Sequence, residues 1–209
     1  MAVQSRWLFN RAEAVMRITP HLLLAAALGL TVLGGWQAGQ GLYMNAKAEV
    51  AQVLLEDAWA DSKRTGKTVK AWQWADTWPV ARVTAPRVNG DAIVLAGASG
   101  EALAFGPGHL SSTAVPGANG TAVIAAHRDT HFEFLKDMEI GDAVRVEASD
   151  GSLHTYIVDE LKVVEADASG IDPNEPGKRL ALVTCFPFDA TEQGSLRYVV
   201  FASAEEDLI

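Results

Sequence analysis

The sequence predicts an all-β domain carried behind an N-terminal membrane-spanning segment and a helical stalk, and three observations predict it. After Pro79 the chain breaks into seven short β-rich runs, at 80–88, 91–96, 121–126, 143–147, 153–164, 179–184 and 197–202. Turn pairs separate them: Asn89-Gly90, Pro116-Gly117, Asn119-Gly120, Gly141-Asp142 and Asp150-Gly151. No residue between Arg17 and Lys47 carries a formal charge, and 22–36 reads LLLAAALGLTVLGGW. From Tyr43 to Arg64 there is neither Gly nor Pro. Strands at this spacing imply a barrel or a sandwich, so the chain divides into an anchor at 1–40, a stalk at 41–79 and a β-domain at 80–209.

The anchor comes first. A full span needs about 20 predominantly apolar residues, reached by counting 18–38. Arg6, Arg11 and Arg17 precede it against the single Glu13. That bias holds the N-terminus in the cytoplasm and sends the rest of the chain across. A cleaved signal peptide is the competing reading. Its one plausible site, Ala46-Lys47-Ala48, lies about ten residues past the apolar core, farther than such sites normally sit, and an uncleaved anchor is expected.

In the stalk, Val50, Val53, Leu54, Ala58 and Trp59 recur at helical spacing, and Thr65-Gly66 supplies the stop. Five basic residues balance five acidic ones between Tyr43 and Pro79, as suits a stalk packed on the domain. Trp72, Trp74 and Trp78 then crowd seven positions. Their distance from the span favours a hydrophobic clasp over an anchor at the membrane interface. Within the β-domain, short helical pieces are expected at 101–105 and 131–138.

Composition narrows the function classes. A chain of 209 residues, 49% hydrophobic and 21% charged, is neither disordered nor a collagen-like or disulfide scaffold. From Val80 onward nine basic residues face twenty acidic ones, a net charge of −11 that makes a poor partner for nucleic acid. The single Cys185 excludes an intrachain disulfide and a Cys-based zinc cluster. No GxGxxG or Walker-type loop is present.

The chemistry-bearing residues stand at strand ends. Cys185 closes RLALVTC and is followed at once by Phe186-Pro187, so the strand stops with the thiol at its mouth. His127 closes TAVIAAH in the same way, and Arg197 opens LRYVVFAS twelve residues after Cys185. Taken singly, a Cys is most often a small buried hydrophobe and a His is most often structural. Jointly they place a thiol, an imidazole and a guanidinium at the ends of β-runs in one domain.

The block GPGHLSSTAVPGANGTAVIAAHRDTHFEFLKDMEIGDAVRV, with LALVTCFPFDA and SLRYVVFA, resembles the sortases, membrane-anchored cysteine transpeptidases. The likeness runs from about Trp72 to Ala202. Leu182-Val183-Thr184-Cys185 matches the T-x-T-C-like nucleophile strand, with Leu182 replacing the usual first Thr, and the order His, Cys, Arg matches as well. WADTWPVAR, HRDT and CFPFDA are most similar to the sortases of Gram-negative proteobacteria, which implies an inner-membrane anchor and a periplasmic catalytic domain.

The resemblance implies a closed barrel of about eight strands. It also implies that Cys185 attacks a backbone carbonyl in the LPxTG-like C-terminal sorting signal of an exported protein. A thioacyl intermediate forms, His127 serves as general acid, Arg197 donates to the carbonyl or oxyanion, and an amine acceptor resolves the thioester. A free thiol, with its pKa of about 8.5, needs nearby positive charge to act as thiolate, and His127 and Arg197 supply it. Thr184, with Val183 beside it, is expected to meet substrate next to the scissile bond. The loop 166–177, with Ile171 and Asp172, is expected to line the groove and set selectivity. His109 is a weaker candidate for substrate contact, and His131 and His154 read as surface residues.

No cofactor is expected. Glu165, Asp167, Asp172 and Glu175 could offer oxygens to Ca²⁺, but without EF-hand spacing. Two alternatives belong to other classes: a different envelope cysteine peptidase or amidase, and an anchored β-barrel binding module with an inert Cys185. Papain-like enzymes place Cys before His, and L,D-transpeptidases put His-Gly directly before the Cys, whereas His127 comes first here and Val183-Thr184 precede the thiol.

Overall fold

The computed structural model describes residues 20–192 and 194–205. Arg6, Arg11 and Arg17, on which the expected orientation rests, lie outside the described residues. The chain falls into two compact units, Met1–Glu49 and Val50–Ile209. One helix, α1, covers Pro20–Thr65, and the residue after its end, Gly66, takes a φ of +66°. That left-handed conformation suits Gly best and terminates the helix at the expected place. In the first unit Leu22, Leu24, Leu30, Val32, Trp36 and Tyr43 are all exposed, and the helix is long and apolar enough to cross a membrane.

The second unit is a closed eight-stranded barrel, as expected. Its strands are β1 (Pro79–Ala85), β2 (Gly90–Ala96), β3 (Gly108–His109), β4 (Gly120–Ala125), β5 (Ala143–Ala148), β6 (Leu153–Glu165), β7 (Lys178–Cys185) and β8 (Leu196–Ala204). They close in the order β1-β2-β3-β4-β7-β8-β6-β5. All neighbours are antiparallel except β2 with β3 and β4 with β7. Between β2 and β3 lies a short helix, α2 (Gly100–Leu103), capped by the Ser99 side chain accepting from Ala102 N. A 3₁₀ turn at Glu133–Asp137 fills the second expected helical position.

Alternation explains the core. Along β1 every second residue is buried, and the inward set from all around the barrel (Val83, Val94, Ile124, Leu182, Val200) forms the main cluster. Two features depart from the sequence reading. The first strand stops at Ala85, because Pro86 has no N–H to give a ladder and Pro86–Val88 turn as 3₁₀ instead. The added strand β3 has only two residues. It exists because Gly108 lets the chain press against its neighbour, where a Cβ would stand 2.2 Å from the Gly97 carbonyl oxygen.

Outside the barrel, the C-terminal part of α1 seats Leu55 and Trp59 on Ile93, Leu95 and Ala102, and Gln52 Nε2 donates to Phe105 O at 2.8 Å. Trp72 meets the Phe105 ring edge-on at 4.9 Å, whereas Trp74 is 80% exposed. The clasp is therefore built by Trp59 and Trp72 rather than by the three crowded tryptophans. Trp59→Ala is expected to lower stability by about 3–5 kcal/mol. Trp59→Phe should cost much less, since it also removes a buried indole N–H that has no partner among the described residues. Urea denaturation followed by circular dichroism checks both.

Candidate active site

Two ladders bring the strand ends together. On β7 and β8, Val183 pairs with Val199 and Cys185 pairs with Arg197. On the other side of β7, β4 runs parallel with Ala125 opposite Val183, and Ala126 N continues the ladder to Val183 O at 3.1 Å. His127, two residues past Ala125, therefore reaches the level of Cys185, two residues past Val183. Beyond it the chain turns back, and Phe132 N donates to His127 O at 3.1 Å. Thiol, imidazole and guanidinium thus come from three adjacent strand ends at one mouth of the barrel. Cys185 and Arg197 are half-buried and His127 is exposed.

The same alternation sets their face. Cys185 shares the outer side of β7 with Val183 and Ala181, and Arg197 shares that of β8 with Val199 and Phe201. Val123, Val164, Ala181, Val199 and Phe201 form a separate apolar cluster there, against which Leu110, Ile171 and Val183 pack. Leu110, Ile171 and Val183 therefore stand partly exposed over a buried apolar cluster on the face of the sheet that also carries Cys185.

Ile171 is held in place by its neighbours: Thr121 Oγ1 donates to Asp172 O at 2.8 Å and Thr121 N donates to Pro173 O at 3.0 Å. The Asp172 carboxylate accepts from Asn174 N at 2.9 Å and shapes this turn. Glu175 faces Arg179 at 3.6 Å. Among the described residues no group of three or more His, Cys, Asp or Glu side chains converges as a metal site.

Thr184 has the opposite parity. Its side chain is buried inside the barrel, and Oγ1 donates to Ala126 O at 2.8 Å. The hydroxyl thus clamps the β7 end to the β4 end one residue before Cys185 and one before His127. Arg197 Nη1 donates to Gly194 O and to Leu196 O, each at 2.8 Å, which ties the guanidinium to the segment that leads into β8.

His131 is half-buried rather than at the surface. Burial, and then the charge of nearby His127, hold its imidazole below the usual histidine range. His109 lies apart from this cluster: it is buried, within 2.8 Å of Ala114 O through Nε2. It lines a cavity of about 590 Å³ with His154, Ala148 and Gly117. That cavity opens where β5 ends and β6 begins, the barrel mouth opposite Cys185. Leu110, the next residue in the chain, is the one that packs on the outer apolar cluster. Its apolar side chain directly after His109 was the available sign.

A closed barrel with such a cluster at its strand ends defines a narrow class of protein. The sortase domain profile matches residues 83–205, more than half of the chain, and the chain belongs to the sortase family. Sortase D of Bacillus subtilis (strain 168) is 32% identical over 117 residues, which are 56% of this chain and 59% of that protein. The chain thus spans about three fifths of the length of the curated relative it matches.

Among solved structures, Sortase A from Corynebacterium diphtheriae aligns with a TM-score of 0.57 and 27% identity over 63% of each chain. A Clostridium perfringens Sortase D5 transpeptidase aligns with a TM-score of 0.59 over 75% of this chain and 98% of that one. At 22% identity this second likeness shows the shared fold.

Proposed function

We propose that the chain is a cysteine transpeptidase that acts on an LPxTG-like sorting signal near the C-terminus of an exported protein. The observation that carries this reading is the in-register pairing of Cys185 with Arg197 beside the strand end that bears His127. The Cys185 thiolate adds to the carbonyl carbon of the scissile amide, and the negative charge that develops on oxygen faces the Arg197 guanidinium. Protonated His127 gives its proton to the departing nitrogen, the C–N bond breaks, and the acyl fragment remains on sulfur as a thioester. An acceptor amine then attacks that thioester, His127 takes its proton, and Cys185 leaves again as thiolate.

Substrate residues before the scissile bond lie on the partly exposed Leu110, Ile171 and Val183, over a cluster that is itself buried. Apolar side chains of the signal fit this surface. Thr184 serves from inside, by holding the two strand ends in register. Neither a metal nor an organic cofactor enters the mechanism.

The uncharged segment of α1 anchors the enzyme in the inner membrane of a Gram-negative cell, with the barrel in the periplasm. There it meets exported substrates that are themselves membrane-tethered, which raises effective concentration. Purified protein incubated with a signal peptide and triglycine should yield the peptide fragment joined to triglycine. Hydrolysed fragment alone would favour an envelope peptidase. Unchanged peptide, together with an unreactive thiol, would favour a binding module.

A further inference from the structure

Residues around the sulfur form a circuit in which one link has no part in the chemistry. Cys185 faces Arg197 across the β7–β8 ladder. Arg197 Nη1 holds the Gly194 carbonyl. A few residues back along that connection, the carbonyls of Ala190 and Glu192 both accept from Arg128 Nη2, the second at 3.1 Å. Arg128 directly follows His127, and His127 lies one residue past Ala126, whose carbonyl is clamped by Thr184 next to Cys185.

We propose that Arg128 is a positioning residue that sets His127 and Arg197 at their working distance from Cys185, by latching the segment after β4 to the connection between β7 and β8. The proposal rests on the transpeptidase reading above.

Three observations support a latch over an ordinary surface arginine. The two carbonyls it holds are 62 and 64 residues away in sequence, so the contact joins separate segments rather than trimming a local turn. One guanidinium bridges both carbonyls through a single nitrogen, and hydrogen bonds from a charged donor are about twice as strong as neutral ones. The other terminal nitrogen, Nη1, is shut off from solvent without a partner among the described residues. Burial of an unpaired N–H is costly, and the fold accepts that cost where the tie joins the segments that follow β4 and β7. The groove residues Leu110, Ile171 and Val183 belong to a different cluster, so loss of the latch should disturb chemistry and leave peptide binding alone.

The test uses the full chain with Arg128→Gln and Arg128→Lys. The rate of Cys185 alkylation by iodoacetamide is measured against pH without any peptide, and kcat and KM are measured with a signal peptide and triglycine. For Arg128→Gln a fall in kcat of roughly ten- to a hundredfold is expected, the scale of a small misplacement of reacting groups. KM should stay within about twofold, and the alkylation profile should depart from that of the wild type. Arg128→Lys keeps the charge but lacks the planar fork, so it should fall between the two. It also supplies the answer if Arg128→Gln does not fold.

Superimposable alkylation profiles and equal kcat in a folded variant would overturn the latch while leaving the transpeptidase reading in place. A wild-type Cys185 that alkylates no faster than a free thiol would overturn both.

Discussion

Cys185→Ala should abolish peptide cleavage while leaving the barrel intact. Cys185 is the chain's only thiol. Loss of a covalent nucleophile costs on the order of 10⁴-fold or more, because residual binding and oxyanion stabilisation cannot replace the bond-forming atom. Stability should hardly change. The side chain sits half-buried at the last position of β7, at the edge of the packed interior, and truncation to Ala opens no cavity between core layers. Peptide turnover and thermal unfolding measured on the same preparation check both halves of the expectation. A Cys185→Ala protein that still cleaves the peptide would require a nucleophile that the site does not contain.

The second large effect concerns His127 and Arg197. His127→Ala and Arg197→Ala should each lower turnover by at least ~10². The two losses should differ in kind. Removal of the acid leaves the amine to depart unassisted, so addition of small imidazoles should partly restore the rate of His127→Ala. Removal of the guanidinium withdraws a donor aimed at developing charge, and Arg197→Lys should recover only part of it, since an ammonium cannot hold the Gly194 and Leu196 carbonyls with the same planar geometry. Single-turnover acylation rates for the three variants are the measurement. Near-normal rates in either alanine variant would move that role to another residue.

Much of this site was legible because it sits at the ends of regular elements. A β-run that closes on Cys185 and is followed by Phe186-Pro187 announces where the strand must stop, and the same holds for His127. The adjacency of the two runs was not legible. β4 and β7 pair in parallel with about 58 residues between partners such as Ala125 and Val183, and no local pattern encodes a pairing of that range. The inward face of Thr184 could have been read: period-two alternation along RLALVTC puts Leu182 and Thr184 on one side and Val183 and Cys185 on the other.

β3 leaves no mark in the sequence for a different reason. Two residues cannot show a period, and its formation depends on the absence of a side chain at Gly108 rather than on any β-forming preference. The three tryptophans near Pro79 misled in a similar way. Crowding in sequence says nothing of direction, and the ring that anchors α1 to the barrel is Trp59, paired with Leu55 rather than with the expected Val50, Val53 and Leu54, which are exposed.

The central claim is that the sulfur of Cys185 carries the acyl fragment between donor and acceptor, and intact-mass spectrometry tests it most directly. The wild-type protein is mixed with a signal peptide, quenched in acid within seconds, and weighed before and after a chase with triglycine. The account predicts a new species heavier by the acyl fragment less one hydrogen, located to Cys185 by fragmentation and lost on the chase as the ligated product appears. A protein that turns the peptide over with no such species, and with the same product mass whether or not triglycine is present, would contradict it.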